Sequence, residues 1–372
     1  SPDAVVVESA PVQPAMISPV IDNLMIGGAS LIAFVFFWLF VDKSTSTTAI
    51  AWIGFYLSFV VNWPHFMASY QLLYSDYKHL ILKKRSFFWA AVVSPILIIA
   101  VITAGVLSKN VEVFSLMIQG MYLTVGWHYV KQIYGIAIVS SAVQKRYFDK
   151  YEKVFILLNL YSVWAMSWVH ANVGLEKRDV DGVSYYGLGL PAEALTIAYA
   201  MTALTLVLAI GVMVRKYIRT GQKPTLPSLI AFAAIYCWYI PTIYHPVFFY
   251  MIPFFHSLQY MLFIVTLKKN KAKSESLEFG DGPTQRLSFL KSFAGFFAIA
   301  GVTGWLSFEY IPKTLDVSMP FDAMVFGPTL WFFAFNIFIN LHHYFIDNVI
   351  WRGDNEILRT HLVQASQNGG VR

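Results

Sequence analysis

Charge is scarce in this chain: of 372 residues only 13% are Asp, Glu, Lys or Arg, about half the share of a soluble domain. That scarcity excludes an ordinary water-soluble enzyme. Cysteine is almost missing too, with Cys237 the single one. No internal disulfide and no cysteine-ligated metal centre can form, so any metal must be held by nitrogen and oxygen. No basic n-region with a cleavage signature precedes the first apolar block. Walker A loops, dinucleotide fingerprints on a βαβ unit, HExxH and GxSxG are all absent. The HxxxH and HxxHH boxes of membrane desaturases are absent as well, His342-His343 being the only adjacent pair. Nor do apolar residues alternate over ten-residue stretches, which excludes a transmembrane β-barrel.

What the chain has instead is apolar bulk, 57% hydrophobic and 17% aromatic residues, gathered in blocks of about 20 that match the thickness of a bilayer as helix. The expected fold is therefore all-α, a polytopic integral membrane helix bundle of about ten transmembrane helices. The spans fall at about 22–41, 48–73, 87–107, 112–141, 152–173, 192–217, 226–244, 247–267, 288–310 and 323–351. Spans seven and eight share only Tyr244, His245 and Pro246 as a hinge, so nine crossings with one broken helix is the alternative count. Residues 1–20 read as a short polar tail, 21–351 as a single transmembrane helical domain and 352–372 as a cytoplasmic tail.

The formal net charge of +6 argues for membrane orientation and not for nucleic acid, because the basic residues sit in alternate loops. Of 27 Lys and Arg, 21 fall in loops 74–86, 142–153, 215–224, segment 268–291 and the C-terminal tail, while Lys43, Lys109, Lys177, Arg178 and Lys313 hold the opposite side. The positive-inside rule then places both termini in the cytoplasm of a bacterial inner membrane. The remaining cation, Lys131, lies about ten residues, or roughly 15 Å of helix, from the nearest basic loop, too deep to snorkel freely.

Nine histidines occur. His79 and His361 fall in polar segments, and His170 and His245 lie near span ends, where imidazole meets water. His65, His128, His256 and the pair His342-His343 lie inside spans two, four, eight and ten, where ionisable side chains are costly and tend to be functional. The first Lys or Arg of the following basic segment comes 13 positions after His65, 17 after His128, 12 after His256 and 9 after His343, so their depths agree to within about 12 Å. Four imidazoles converging in one half of a bundle suggest a transition metal. Either His342 or His343 would serve, since neighbours on a helix point about 100° apart. Polar neighbours at helical spacing support the site: Asn62 before His65, Lys131 and Gln132 after His128, Gln259 and Tyr260 after His256, and Asn340 and Asp347 around His343. Asp347 is expected to orient a histidine, Lys131 to pair with Asp347 or hold an anionic substrate group, and Lys131, Tyr260 and Asp347 are the candidate catalytic residues. The alternative is that these side chains only link helices by hydrogen bonds worth about 1 kcal/mol each.

The segments Asn62-Trp63-Pro64-His65-Phe66, Trp127-His128-Tyr129, His256-Ser257-Leu258-Gln259-Tyr260 and His342-His343-Tyr344-Phe345-Ile346-Asp347 look like those of a bacterial polytopic multi-histidine membrane family. In site style the chain resembles the Brp/Blh-type carotene-cleaving dioxygenases, polytopic proteins in which histidines from separate helices hold a nonhaem iron. The shared feature is an early Pro-His step followed by isolated intramembrane histidines. The departures are that Phe66, Met67 and Ala68 stand where that family continues with Gly and a later Asp, and that this chain has more spans. The resemblance implies a histidine-ligated nonhaem iron oxidoreductase or oxygenase acting on a lipid or isoprenoid, with the bilayer and a hydrophobic or amphiphilic small molecule as partners. Two other readings stay open. The histidines could be axial ligands of b-type haem in an electron-transfer subunit, His65 with His128 or His256 with His343. Or the chain could be a transporter or structural partner without metal, Pro241, Pro246 and Pro253 marking one broken helix.

Overall fold

The computed structural model describes residues 14–40, 53–54, 56–180, 183–244, 246–276 and 282–367. The expected tail over 1–13, the beginning of span two, His245 and the ends of the polar segments at 277–281 and 368–372 lie outside these residues.

Among the described residues the apolar blocks are helical. The main helices of the described residues are, in order, α1 (Pro19–Phe37), α2 (Trp63–Gln71, extended on both sides by wide turns), α3 (Arg85–Leu107), α4 (Val111–Val143), α5 (Lys150–Asn172), α6 (Ala192–Thr220), α7 (Leu226–Tyr244), α8 (Ile252–Ser276), α9 (Pro283–Ser318) and α10 (Leu330–Ile350). Six of them, α1, α3, α5, α6, α7 and α9, are long and apolar enough to cross a membrane. The other four, α2, α4, α8 and α10, carry His65, His128, His256 and His343.

Local sequence sets the helix ends. Asp149 and Glu152 form a reciprocal capping box at the start of α5, which satisfies two otherwise unpaired backbone donors. Gly221, left-handed at φ 70°, stops α6 because a side chain there would be strained. Proline shapes three helices in one way. Wide, π-type turns at Ser58–Asn62, Trp89–Val93 and Leu306–Tyr310 each end two residues before Pro64, Pro95 or Pro312. The proline ring clashes with the carbonyl four residues back and lacks an N–H, so the preceding turn widens and frees carbonyls for other donors.

Several expected boundaries shift. Helix α9 runs to Ser318, beyond the expected 310, and α10 begins at Leu330 rather than 323, because Gly327 at φ 76° with Pro328 separates it from a short helix, Ala323–Phe326. Between α7 and α8 a 3-10 turn, Pro246–Met251, stands where a hinge is expected. A two-stranded antiparallel hairpin, β1 (Lys177–Val180) and β2 (Val183–Tyr186), interrupts the all-helical expectation between α5 and α6. It rests on α4, where Gln119 Nε2 donates to the Tyr186 carbonyl at 3.0 Å. Nor is the C-terminal segment a free tail: Leu358 and Leu362 are buried in the core, and Asn270 Nδ2 on α8 donates to the His361 carbonyl at 2.8 Å.

Close helix contacts depend on small residues. A Cβ on Gly304 of α9 would fall 3.1 Å from the Cβ of Trp63, and one on Gly27 of α1 would fall 2.7 Å from the Cβ of Ala234 on α7. Such approaches replace the missing hydrophobic drive between helices in a lipid solvent.

Candidate metal centre

The four histidine helices pack so that their imidazoles meet. Ring centroids are 4.7 Å apart for His65 and His343, 4.9 Å for His128 and His256, 5.2 Å for His128 and His343 and 5.3 Å for His65 and His256. His65, His256 and His343 are fully buried and His128 nearly so. Two overlapping groups, His65 with His256 and His343, and His128 with His343 and Asp347, have donor atoms within 4.8 Å of one another. His343 belongs to both.

His65 is held ready for a cation. Its Nδ1–H donates to the Asn62 carbonyl at 2.7 Å, and the Ser257 hydroxyl, itself donating to Asn62 Oδ1 at 2.7 Å, lies 2.9 Å from the same nitrogen. With the proton fixed at Nδ1, the Nε2 lone pair points inward, the tautomer a metal ligand needs. It faces His343 Nε2 at 3.2 Å, and that nitrogen is 3.2 Å from Asp347 Oδ2. His128 Nε2 is 3.6 Å from the same oxygen. Donors about 2.0–2.1 Å from a common ion stand roughly 3.0–3.4 Å from their neighbours. The spacing therefore fits an ion held by either overlapping group, His65 with His256 and His343 or His128 with His343 and Asp347.

The unpaired atoms strengthen this fit. His128 Nε2, His256 Nδ1 and Asp347 Oδ2 are buried without a hydrogen-bond partner, at a cost of about 1–3 kcal/mol each if nothing engages them. Helix-linking side chains would be expected to satisfy one another.

Asp347 is placed differently from expectation. It does not sit behind an imidazole as an orienting group but turns Oδ2 toward the histidines. Its Oδ1 accepts from Ser69 Oγ at 2.9 Å and from Tyr260 OH at 3.1 Å, and Trp351 Nε1 donates to the Tyr260 oxygen at 3.1 Å. A second polar layer thus lies one turn from the histidines. Each histidine has a polar residue four positions on: Ser69, Gln132, Tyr260 and Asp347. Because the four helices run in the same sense, these side chains share a depth. Gln132 Nε2 reaches the His256 carbonyl at 2.9 Å and Gln259 Oε1 at 3.2 Å, and Gln259 donates to the Ile26 carbonyl of α1.

His342 does not stand in for His343. Its Nδ1 accepts from Tyr70 OH at 2.8 Å and its Nε2 donates at 2.9 Å to the Ala90 carbonyl, one of those freed by the wide turn before Pro95. Both nitrogens are occupied, so His342 ties α10 to α2 and α3. Lys131 does not pair with Asp347 either. Its ammonium, half-buried, lies over Trp127 and Tyr134 at 5.5 and 5.4 Å from the ring centroids. Asn336 and Asn340 bond to carbonyls of their own helix and leave His343 alone. Ser69 and Ser257 were not expected at the site. Their signals in the sequence are the four-residue step from His65 and the position next to His256.

No protein-family model, curated protein or solved structure matches the chain. What it does must be argued from this centre.

Proposed function

We propose that the chain is an integral membrane metalloprotein in which His65, His128, His256, His343 and Asp347 hold one transition-metal ion, most consistent with nonhaem iron, and that it acts as an oxidoreductase or oxygenase on a lipid or isoprenoid. The observation that supports this most is the convergence of four buried imidazoles and one carboxylate oxygen with several of their polar atoms unengaged. Neutral imidazole with carboxylate suits iron, and also copper, zinc and nickel. When bound, such an ion supplies redox change and Lewis acidity.

The chain's own groups would orient and hold protons. Asn62 and Ser257 fix the His65 ring. Ser69 and Tyr260 anchor one oxygen of Asp347 and leave the other for the ion. The Tyr260 hydroxyl, in contact with Ser69, Asp347 and Trp351, is a group able to give or take a proton beside Asp347. A narrow apolar crevice lined by Phe34, Phe37, Trp238, Phe248 and Phe255 supports a lipophilic substrate. Phe255 precedes His256, and Trp238 stands 6.2 Å from Tyr129, whose ring is 4.4 Å from His256. Haem is the poorer reading, since neighbouring imidazole centroids only 4.7–5.3 Å apart around the cluster leave no width for a macrocycle between His65 and His128 or between His256 and His343.

The full chain purified in mild detergent should hold close to one transition-metal ion per protein by elemental analysis, without a Soret band. Less than a tenth of an equivalent of every such metal after reconstitution would refute the reading, and a Soret band would replace it with the haem alternative. The proposal includes ten crossings of a bacterial inner membrane with cytoplasmic termini, since the basic loops alternate with the helices. A cysteine placed in segment 142–153 of a Cys237→Ser background should resist impermeant reagents in intact cells.

A further inference from the structure

A second polar site lies far from the histidines, where α5 begins and α6 ends. A cavity of about 270 Å3 is lined by Asp149, Tyr151, Val212, Arg215, Lys216, Arg219 and Thr220. One acid, Asp149, stands there against three cations, Arg215, Lys216 and Arg219. Asp149 Oδ1 accepts from the Glu152 backbone N–H at 2.8 Å as the helix cap, and Glu152 pairs with Lys216 at 2.7 Å. Arg215 lies 5.3 Å over the Tyr151 ring, and neither Arg215 nor Arg219 makes an ion pair among the described residues. Arg215 and Arg219 therefore line the cavity without a direct ion pair, against the single carboxylate of Asp149.

The approach to this cavity is apolar and exposed. On α6, Met201, Leu204 and Leu208 are exposed and lead at three- and four-residue steps through Val212 to Arg215 and Arg219. On α5, Val154 and Leu158 are exposed and follow Tyr151 at the same steps. The two helices are joined beneath by Asn159 Nδ2, which bonds Thr205 Oγ1 at 3.1 Å and the Thr202 carbonyl at 3.2 Å. An apolar track on a membrane-spanning pair thus ends in a cationic cup at the basic end of the bundle.

We infer that this cup binds the phosphodiester headgroup of an anionic phospholipid, with the acyl chains along the exposed faces of α5 and α6. A bilayer lipid has this division of apolar length and terminal anion, and basic pockets at helix ends attract anionic headgroups. Arginine, which binds phosphate oxygens through paired N–H groups, is the suited cation.

The test is native mass spectrometry of the full chain in detergent, titrated with dioleoylphosphatidylglycerol or dioleoylphosphatidylcholine. The expected result is saturable binding of phosphatidylglycerol well in excess of phosphatidylcholine. Arg215→Gln with Arg219→Gln should weaken it roughly 25-fold, at about fivefold per cation lost. Arg219→Gln alone should give the fivefold step, which keeps the test decisive if the double variant is poorly folded, and Lys83→Gln with Lys84→Gln should change nothing. Equal binding of the two lipids, or unaltered binding by the arginine variants, overturns the inference. So does full displacement of phosphatidylglycerol by millimolar inorganic phosphate, which would make the cup a free-phosphate site.

Discussion

The six helices apolar enough to cross a membrane and the four that carry the histidines differ in where their polar side chains turn. In the apolar set, hydroxyls mostly fold back on their own helix, as Ser162 does to the Leu158 carbonyl and Thr303 to that of Ile299. Asn159, shared by α5, α6 and α7 through Tyr236, is an exception. In the histidine set the bonds around the imidazoles cross between helices: Ser69 to Asp347, Tyr70 to His342, Ser257 to Asn62 and Gln132 to the His256 carbonyl. A helix can be too polar to meet lipid and still belong in a membrane bundle when partners on other helices satisfy its polar atoms. The difference teaches that apolarity marks the outer helices, while the inner ones must be found from what they hold together.

The largest effect should come from breaking the shared point of the inner set. His343→Ala is expected to reduce bound metal at least about tenfold while the purified chain keeps its helical circular dichroism; His342→Ala should retain the metal and lose thermal stability. If both variants retain metal, the inner helices are held by packing alone. Ser69→Ala removes one donor to Asp347 Oδ1 and should lower metal affinity about 10-fold, with about 1–2 kcal/mol lost from unfolding stability. A wild-type metal titration would show that Asp347 does not need anchoring.

Lys131→Met probes the boundary between the two sets. Its ammonium contacts only aromatic faces, worth about 0.5–1 kcal/mol, so metal content and melting temperature should stay near wild type. Loss of metal would mean that α4 turns its lysine inward when the ion is present. The smallest effect lies in the loops, where the Lys109 ammonium, 2.8 Å from Asp322, holds that carboxyl below its ordinary value of 3.8. Its contribution is complete above the ordinary carboxylate range and is lost as pH falls through the lowered folded value. Asp322→Asn should remove only that acid-limb component from a pH series of melting curves.

Much of the bundle was legible in the sequence because lipid allows few solutions, and the apolar blocks gave the helices. The depth of His65, His128, His256 and His343 below the basic loops brought out the residues that meet. What depth could not give was direction around each helix. It left His342 and His343 equivalent, although the freed Ala90 carbonyl captures one of them, and it set Lys131 beside Asp347, although aromatic rings on α4 hold the lysine. Asp347 was visible as a partner but not as a donor, because which oxygen faces the histidines depends on Ser69 and Tyr260 from other helices. The β1–β2 hairpin was hidden in a segment read only as a loop.

The widened turn at Trp89–Val93 carries a genetic consequence. Such a turn amounts to one extra residue in a regular helix, so an in-frame loss of a single codon there would restore ordinary winding. The ends of α3 would then be rotated by about 100° relative to each other, and the Ala90 and Ala91 carbonyls, which now receive His342 and Tyr74, would return to the helix. A one-residue deletion at this point should thus be harsher than most substitutions along the same span, a pattern that a deletion scan read by membrane expression would expose.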